Sequence, residues 1–140
     1  MINQFSLKEQ NKKLKSEIIK KIDSVIASSS FILGSNLKKF ENNIAKYLDV
    51  KYAIGCNSGT DAIYMALIAA GVKRSDEVIT TPFTYMATVE AIMFIGAKPV
   101  LVDIDKKTFN IDLTELNNKI NKNTKAIIPV HIFGNPIDVN

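Results

Sequence analysis

The feature that most constrains this chain is an alternation between residues 77 and 132. Short, nearly continuous Val/Ile runs are separated there by stretches with helical spacing. Glu77-Val78-Ile79-Thr80-Thr81 halts at Pro82, Pro99-Val100-Leu101-Val102-Asp103-Ile104 forms a second run, and Ala126-Ile127-Ile128-Pro129-Val130-His131-Ile132 a third. Runs apolar at successive positions suit strands covered on both faces, and helical segments between them supply the cover. The pattern therefore predicts an α/β chain with a mainly parallel sheet, its strand-end loops gathered on one rim where ligands usually bind.

Other elements follow from local chemistry. Ser6-Leu7-Lys8-Glu9 fits a capping box ahead of a helix with Leu14, Ile18, Ile22, Val25 and Ile26 on one stripe, ended by Ser28-Ser29-Ser30. A second helix follows Gly34-Ser35, with Leu37, Phe40, Ile44 and Tyr47 on one face, and a short strand is expected at 52–56. Asn57-Ser58-Gly59-Thr60 reads as a turn feeding a small-residue helix over 62–70, closed by Gly71. A helix is expected at 85–95, ended by Gly96, and another after a capping box at Asp112-Leu113-Thr114-Glu115.

Composition excludes several classes. With 46% hydrophobic and 23% charged residues, disorder is not the main state. No apolar run reaches the roughly 20 residues of a membrane span, and the polar, lysine-rich start does not resemble a secretory leader. Single Cys56 excludes an internal disulfide and a multi-cysteine zinc site, which points to a reducing, cytoplasmic setting, and Cys56 is expected to be buried and inert. The net charge of +4 comes mostly from residues 1–23, where six lysines face Glu9, Glu17 and Asp23, so it reads as a solvated helix face rather than a nucleic-acid groove.

Four places can carry chemistry. The turn at 57–60 presents free amides at the positive end of a helix, with Gly59 permitting close approach and the Ser58 and Thr60 hydroxyls able to donate; it is either a phosphate cradle or an ordinary helix start. Phe83 or Tyr85, just past a strand end, either stacks on a flat ring or fills core under a loop. His131, the only histidine, reads as structural. Asp103 and Asp105 show no metal-ligand pattern and suit turn capping. The fingerprints of dinucleotide and P-loop sites are missing.

In order along the chain stand Phe31-Ile32-Leu33-Gly34, Phe40-Glu41, Asn57-Ser58-Gly59-Thr60-Asp61-Ala62, Asp76-Glu77-Val78-Ile79-Thr80, Phe83-Thr84-Tyr85-Met86-Ala87-Thr88, Gly96-Ala97-Lys98-Pro99-Val100, Val102-Asp103-Ile104-Asp105 and Pro129-Val130-His131. This series resembles the front of the DegT/DnrJ/EryC1/StrS aminotransferases. The resemblance implies part of the large domain of an aspartate-aminotransferase-type (fold type I) enzyme, a three-layer α/β/α sandwich with a mostly parallel sheet. A helical segment at about 6–48 would precede the cofactor-binding part within residues 1–140.

The family reaction moves an amino group from glutamate to a nucleotide-linked keto-sugar with pyridoxal 5′-phosphate, in homodimers. By resemblance, Gly59, Thr60 and Asp61 would hold the cofactor phosphate, and Tyr85 would stack on its ring. Ser75 stands where the family usually has glycine. The lysine that forms the Schiff base with the cofactor is expected beyond residue 140, as is the acid that pairs with the ring nitrogen, so the chain alone is expected to be inactive. The expected partners are a nucleotide-linked keto-sugar and glutamate, with neither nucleic acid nor membrane. A non-catalytic fragment keeping the fold, or another fold type I enzyme such as a cysteine desulfurase, are the rival readings.

Overall fold

A computed structural model describes residues 5–138. The chain divides into two units, Met1–Gly55 and Cys56–Asn140.

The first unit holds α1 (Lys8–Ser28) and α2 (Ser35–Tyr47). The expected capping box at Ser6 does not form. Leu7 is the residue before the helix, Ser6 Oγ accepts the Lys8 amide at 3.4 Å, and no side chain caps the start. The helix thus begins too late for the Glu9 carboxylate to close the box. Ser29 ends α1 in the left-handed region (φ 51°). No residue of either helix is buried, and the apolar stripe at Ile18, Ile22 and Ile26 stays about half exposed. The strand expected at 52–56 is absent: these residues make no ladder with any described residue. The Gly55 amide donates instead to Glu41 Oε1 at 2.8 Å, so a side chain has taken the group that a neighbouring strand would need.

The second unit runs α3 (Gly59–Ala69), β1 (Glu77–Thr80), α4 (Ala87–Phe94), β2 (Lys98–Leu101), α5 (Leu113–Lys119) and β3 (Thr124–Ile127). The strands form one parallel sheet in the order β2-β1-β3. Adjacent side chains of β1 point to opposite faces and seed two cores. On one face Val78 packs with Leu67 of α3, Val72, Ile92 of α4 and Ala97. On the other Ile79 packs with Val102, Ile111 and Leu116 of α5. Helices therefore cover both faces, giving three layers.

Gly71 (φ +77°) closes α3: its amide reaches Ile68 O at 2.9 Å and the Val72 amide reaches Leu67 O at 3.0 Å. Val72 and Leu67 then meet in the core, completing the helix-ending motif that glycine permits. Asp112 Oδ1 caps α5 by accepting the Thr114 and Glu115 amides at 2.8 and 3.0 Å. Only half of that expected box forms, because Glu115 Oε2 accepts the Asp103 amide (3.3 Å) and ties the helix to the segment leaving β2.

Strands β2 and β3 are shorter than their apolar runs, and β2 is half-exposed rather than buried, as suits an edge. Lys98 and Val102 amides donate to Asp76 and Thr80 carbonyls of the central strand region. Pro99, one position out of phase, turns its ring nitrogen to the open edge, where no donor is missed.

Candidate functional site

All three strands run the same way, so Thr80, Leu101 and Ile127 end at one rim. Helix α3 leads through a short connection into the start of β1, so it runs against the strands and its N-terminus points toward that rim. Helix α4 begins there as well, since it follows the end of β1.

At the start of α3, Ser58 is the capping residue. Its Oγ accepts the Asp61 amide at 3.1 Å and donates to Asp61 Oδ2 at 2.9 Å, while the Ala62 amide bonds the Ser58 carbonyl. Two of the four amides of this first turn are thereby satisfied. Those of Gly59 and Thr60, and the Thr60 hydroxyl, have no partner among the described residues. A Cβ placed on Gly59 would meet nothing within 4 Å, so the space beside Gly59 is open. Such a donor set, at the positive end of an 11-residue helix, suits a phosphate. The turn is a capped helix start that leaves donors over. The Ser58 hydroxyl is not among them, because Asp61 uses its proton. Asp61 itself offers only acceptor oxygens.

Tyr85 lies in the loop between β1 and α4. The Thr84 amide donates to Pro82 O (3.0 Å), the Thr88 amide donates to Tyr85 O (3.1 Å), and the Thr84 and Thr88 hydroxyls pair at 3.0 Å. The backbone under Tyr85 is held, yet the residue is 81% exposed and its ring meets no other ring among the described residues. Phe83 is engaged elsewhere, with its ring centroid 6.0 Å from Phe109 and 6.2 Å from Phe133, which are 5.5 Å apart. One phenylalanine from each strand-leaving loop knits the rim together, which leaves Tyr85 as the aromatic open to a ligand. The structure brings Ser58, Gly59, Thr60 and Asp61 into one turn; no hydrogen bond joins Tyr85 to it. Thr88 is buried, and the Thr84/Thr88 spacing of one helical turn is the sequence signal for their pairing.

Cys56 is exposed, contrary to the expected burial, with Sγ donating to Ser58 O at 3.3 Å. Without a strand at 52–56, nothing draws it into a core. The His131 Nδ1 accepts the Ile137 amide at 3.3 Å, a structural bond. Asp105 Oδ1 accepts the Lys107 and Thr108 amides and the Thr108 hydroxyl; those bonds, the Thr108 amide first, hold its carboxyl below the usual range.

A family model for DegT/DnrJ/EryC1/StrS aminotransferases matches residues 12–140. The chain belongs to that family. It is 52% identical to the pleiotropic regulatory protein of Geobacillus stearothermophilus, over 96% of this chain and 36% of that protein. It is 43% identical to the UDP-2-acetamido-2-deoxy-3-oxo-D-glucuronate aminotransferase of Pseudomonas aeruginosa, over 99% of this chain and 38% of that one. The solved structure of S. venezuelae DesV in complex with a ketimine intermediate superposes with a TM-score of 0.90 at 35% identity, covering 95% of this chain and 36% of DesV. The chain thus spans little more than a third of the length of these relatives. Its fold is part of the fold type I large domain. Among the described residues, no helix is long and apolar enough to cross a membrane.

Proposed function

We propose that this chain is the phosphate-cradling front of a pyridoxal 5′-phosphate-dependent aminotransferase that moves an amino group from glutamate to a nucleotide-linked keto-sugar. The observation that carries the reading is the pair of unpartnered Gly59 and Thr60 amides beside an open Gly59. Family membership supports the cofactor, and relatives named as sugar-nucleotide aminotransferases support the substrate class.

Pyridoxal phosphate, when bound, supplies the electron sink that amino transfer requires. The chain's own residues bind and orient. Gly59 and Thr60 donate to the phosphate from a helix start whose dipole favours negative charge. Asp61 acts through Ser58, fixing the cap so that these two amides stay aimed outward. Tyr85 offers its face to the ring, on a backbone held by the Thr84–Thr88 pair. The same reading includes a homodimer working in the cytoplasm, with the lysine and the acid partner of the ring supplied by chain beyond residue 140.

The test is made on the intact protein. Purified material should carry a visible absorption band from bound cofactor and transfer the amino group of glutamate to a keto-sugar nucleotide. A colourless protein that binds no pyridoxal phosphate on titration removes the reading.

A further inference from the structure

Helix α4 turns one stripe inward: Ala87, Thr88, Ala91 and Ile92 are its buried residues. Three of them are apolar, and Ile92 packs in the core with Val78 of β1. Thr88 is the exception, a hydroxyl only 6% exposed where valine would fill much the same space with no polar atom to satisfy. Its single side-chain partner among the described residues is the Thr84 hydroxyl at 3.0 Å. What threonine adds over valine at this position is that one bond.

The bond spans Tyr85. Thr84 precedes the tyrosine, Thr88 lies one helical turn beyond Thr84, and the Thr88 amide donates to Tyr85 O at 3.1 Å. Thr88 thus grips the Tyr85 peptide with its amide and the preceding residue with its hydroxyl. The loop is fastened again upstream. The Phe83 amide donates to Oγ1 of buried Thr81 at 3.2 Å, and the Phe83 ring sits against Phe109 and Phe133. Tyr85 is carried between these two fixings. It makes no ring contact of its own among the described residues, so the direction of its Cα–Cβ bond is set by this backbone.

We infer that Thr88 is a positioning residue, its hydroxyl acting through Thr84 to hold Tyr85 where its ring covers that of the cofactor. The inference rests on the role given to Tyr85 under the proposed function. It adds a residue enclosed between helix and sheet that sets how long the cofactor stays.

The test measures release of pyridoxal phosphate from the intact protein, as loss of the bound cofactor's visible band in the presence of a scavenging apoenzyme. The circular dichroism of that band reports how the ring is held. Thr88→Val should speed release by about fivefold and weaken the dichroic band, whereas Thr88→Ser should stay within about twofold of the parent. Thr84→Val cuts the same bond from its half-buried end and should match Thr88→Val. In a Tyr85→Ala background Thr88→Val should change neither quantity further, because a residue acting only through that ring has nothing left to act on. A purely structural role would instead add its effect in both backgrounds. Parental release from both valine variants, no rescue by serine, or an undiminished effect in the Tyr85→Ala background overturns the inference while leaving the cofactor reading intact. A parent protein that takes up no cofactor removes both.

Discussion

Ser58 and Asp61 hold each other twice, the Asp61 amide donating to Ser58 Oγ at 3.1 Å and that hydroxyl donating to Asp61 Oδ2 at 2.9 Å. The pair fixes the first turn of α3 without using the amides of Gly59 and Thr60. Ser58→Ala should therefore cost about 1 kcal/mol of stability, as lost caps do, and should also weaken cofactor binding by fraying the turn. Chemical denaturation and a cofactor titration on the same sample check both effects.

Thr60→Val removes one hydroxyl donor while keeping shape and backbone amide. A lost bond to a charged group costs roughly 1.5–3 kcal/mol, or about 10- to 150-fold in pyridoxal phosphate affinity. Equilibrium dialysis of the intact variant should find that loss with an unchanged denaturation midpoint.

For Tyr85 the two substitutions should separate. The ring is exposed and its hydroxyl has no partner among the described residues, so Tyr85→Phe should retain cofactor and Tyr85→Ala should release it faster, with little change in stability for either. Equal retention by both variants would show that no ring stacks there.

Ser75 occupies the left-handed region (φ 72°), with its amide donating to Gly96 O at 2.9 Å. A side chain there costs about 1–2 kcal/mol, partly offset by the greater chain entropy of glycine. Ser75→Gly should stabilise the protein by roughly 0.5–1 kcal/mol. Ser75→Ala should give no gain, and urea midpoints distinguish the two.

Glu77 joins Asn121 through Oε2 at 2.8 Å and Lys98 through Oε1 at 3.0 Å. The Asn121 bond and then Lys98 hold its carboxyl below the ordinary glutamate value. Since folding lowers the pKa, the stabilisation is fully present above the unfolded value and is lost as pH falls through the folded one. Glu77→Gln should thus lose stability at pH 7 but converge with the parent at strongly acidic pH. Denaturation at both extremes measures the convergence.

Much of this fold is readable because it rests on local rules. Gly71 and Gly96 end their helices where the sequence places them, and Val78-Ile79 makes a two-faced strand. The readings that fail depend on distant partners. Tyr52 and Ile54 have strand-like spacing, yet a strand needs a neighbour, and the Gly55 amide goes to Glu41, 14 positions earlier. Glu115 satisfies the capping-box pattern in sequence, but Asp103 competes for its carboxylate. The turn at Ser58-Gly59-Thr60 is legible as a motif, whereas the number of amides left over is fixed only by which ones Ser58 consumes. Phe83 and Tyr85 are equivalent on paper; Phe109 and Phe133, brought in by two other loops, engage Phe83 and leave Tyr85 exposed.

Pro99 makes the sheet directional. A newcomer laid along the outer side of β2 would find a pyrrolidine ring where a ladder needs a donor, while β3 presents no proline within its strand. Lateral growth is therefore polarised: additional strands, and equally any stray edge-to-edge association, are steered to the β3 flank, and one imino acid gives this scaffold a closed side and an open side.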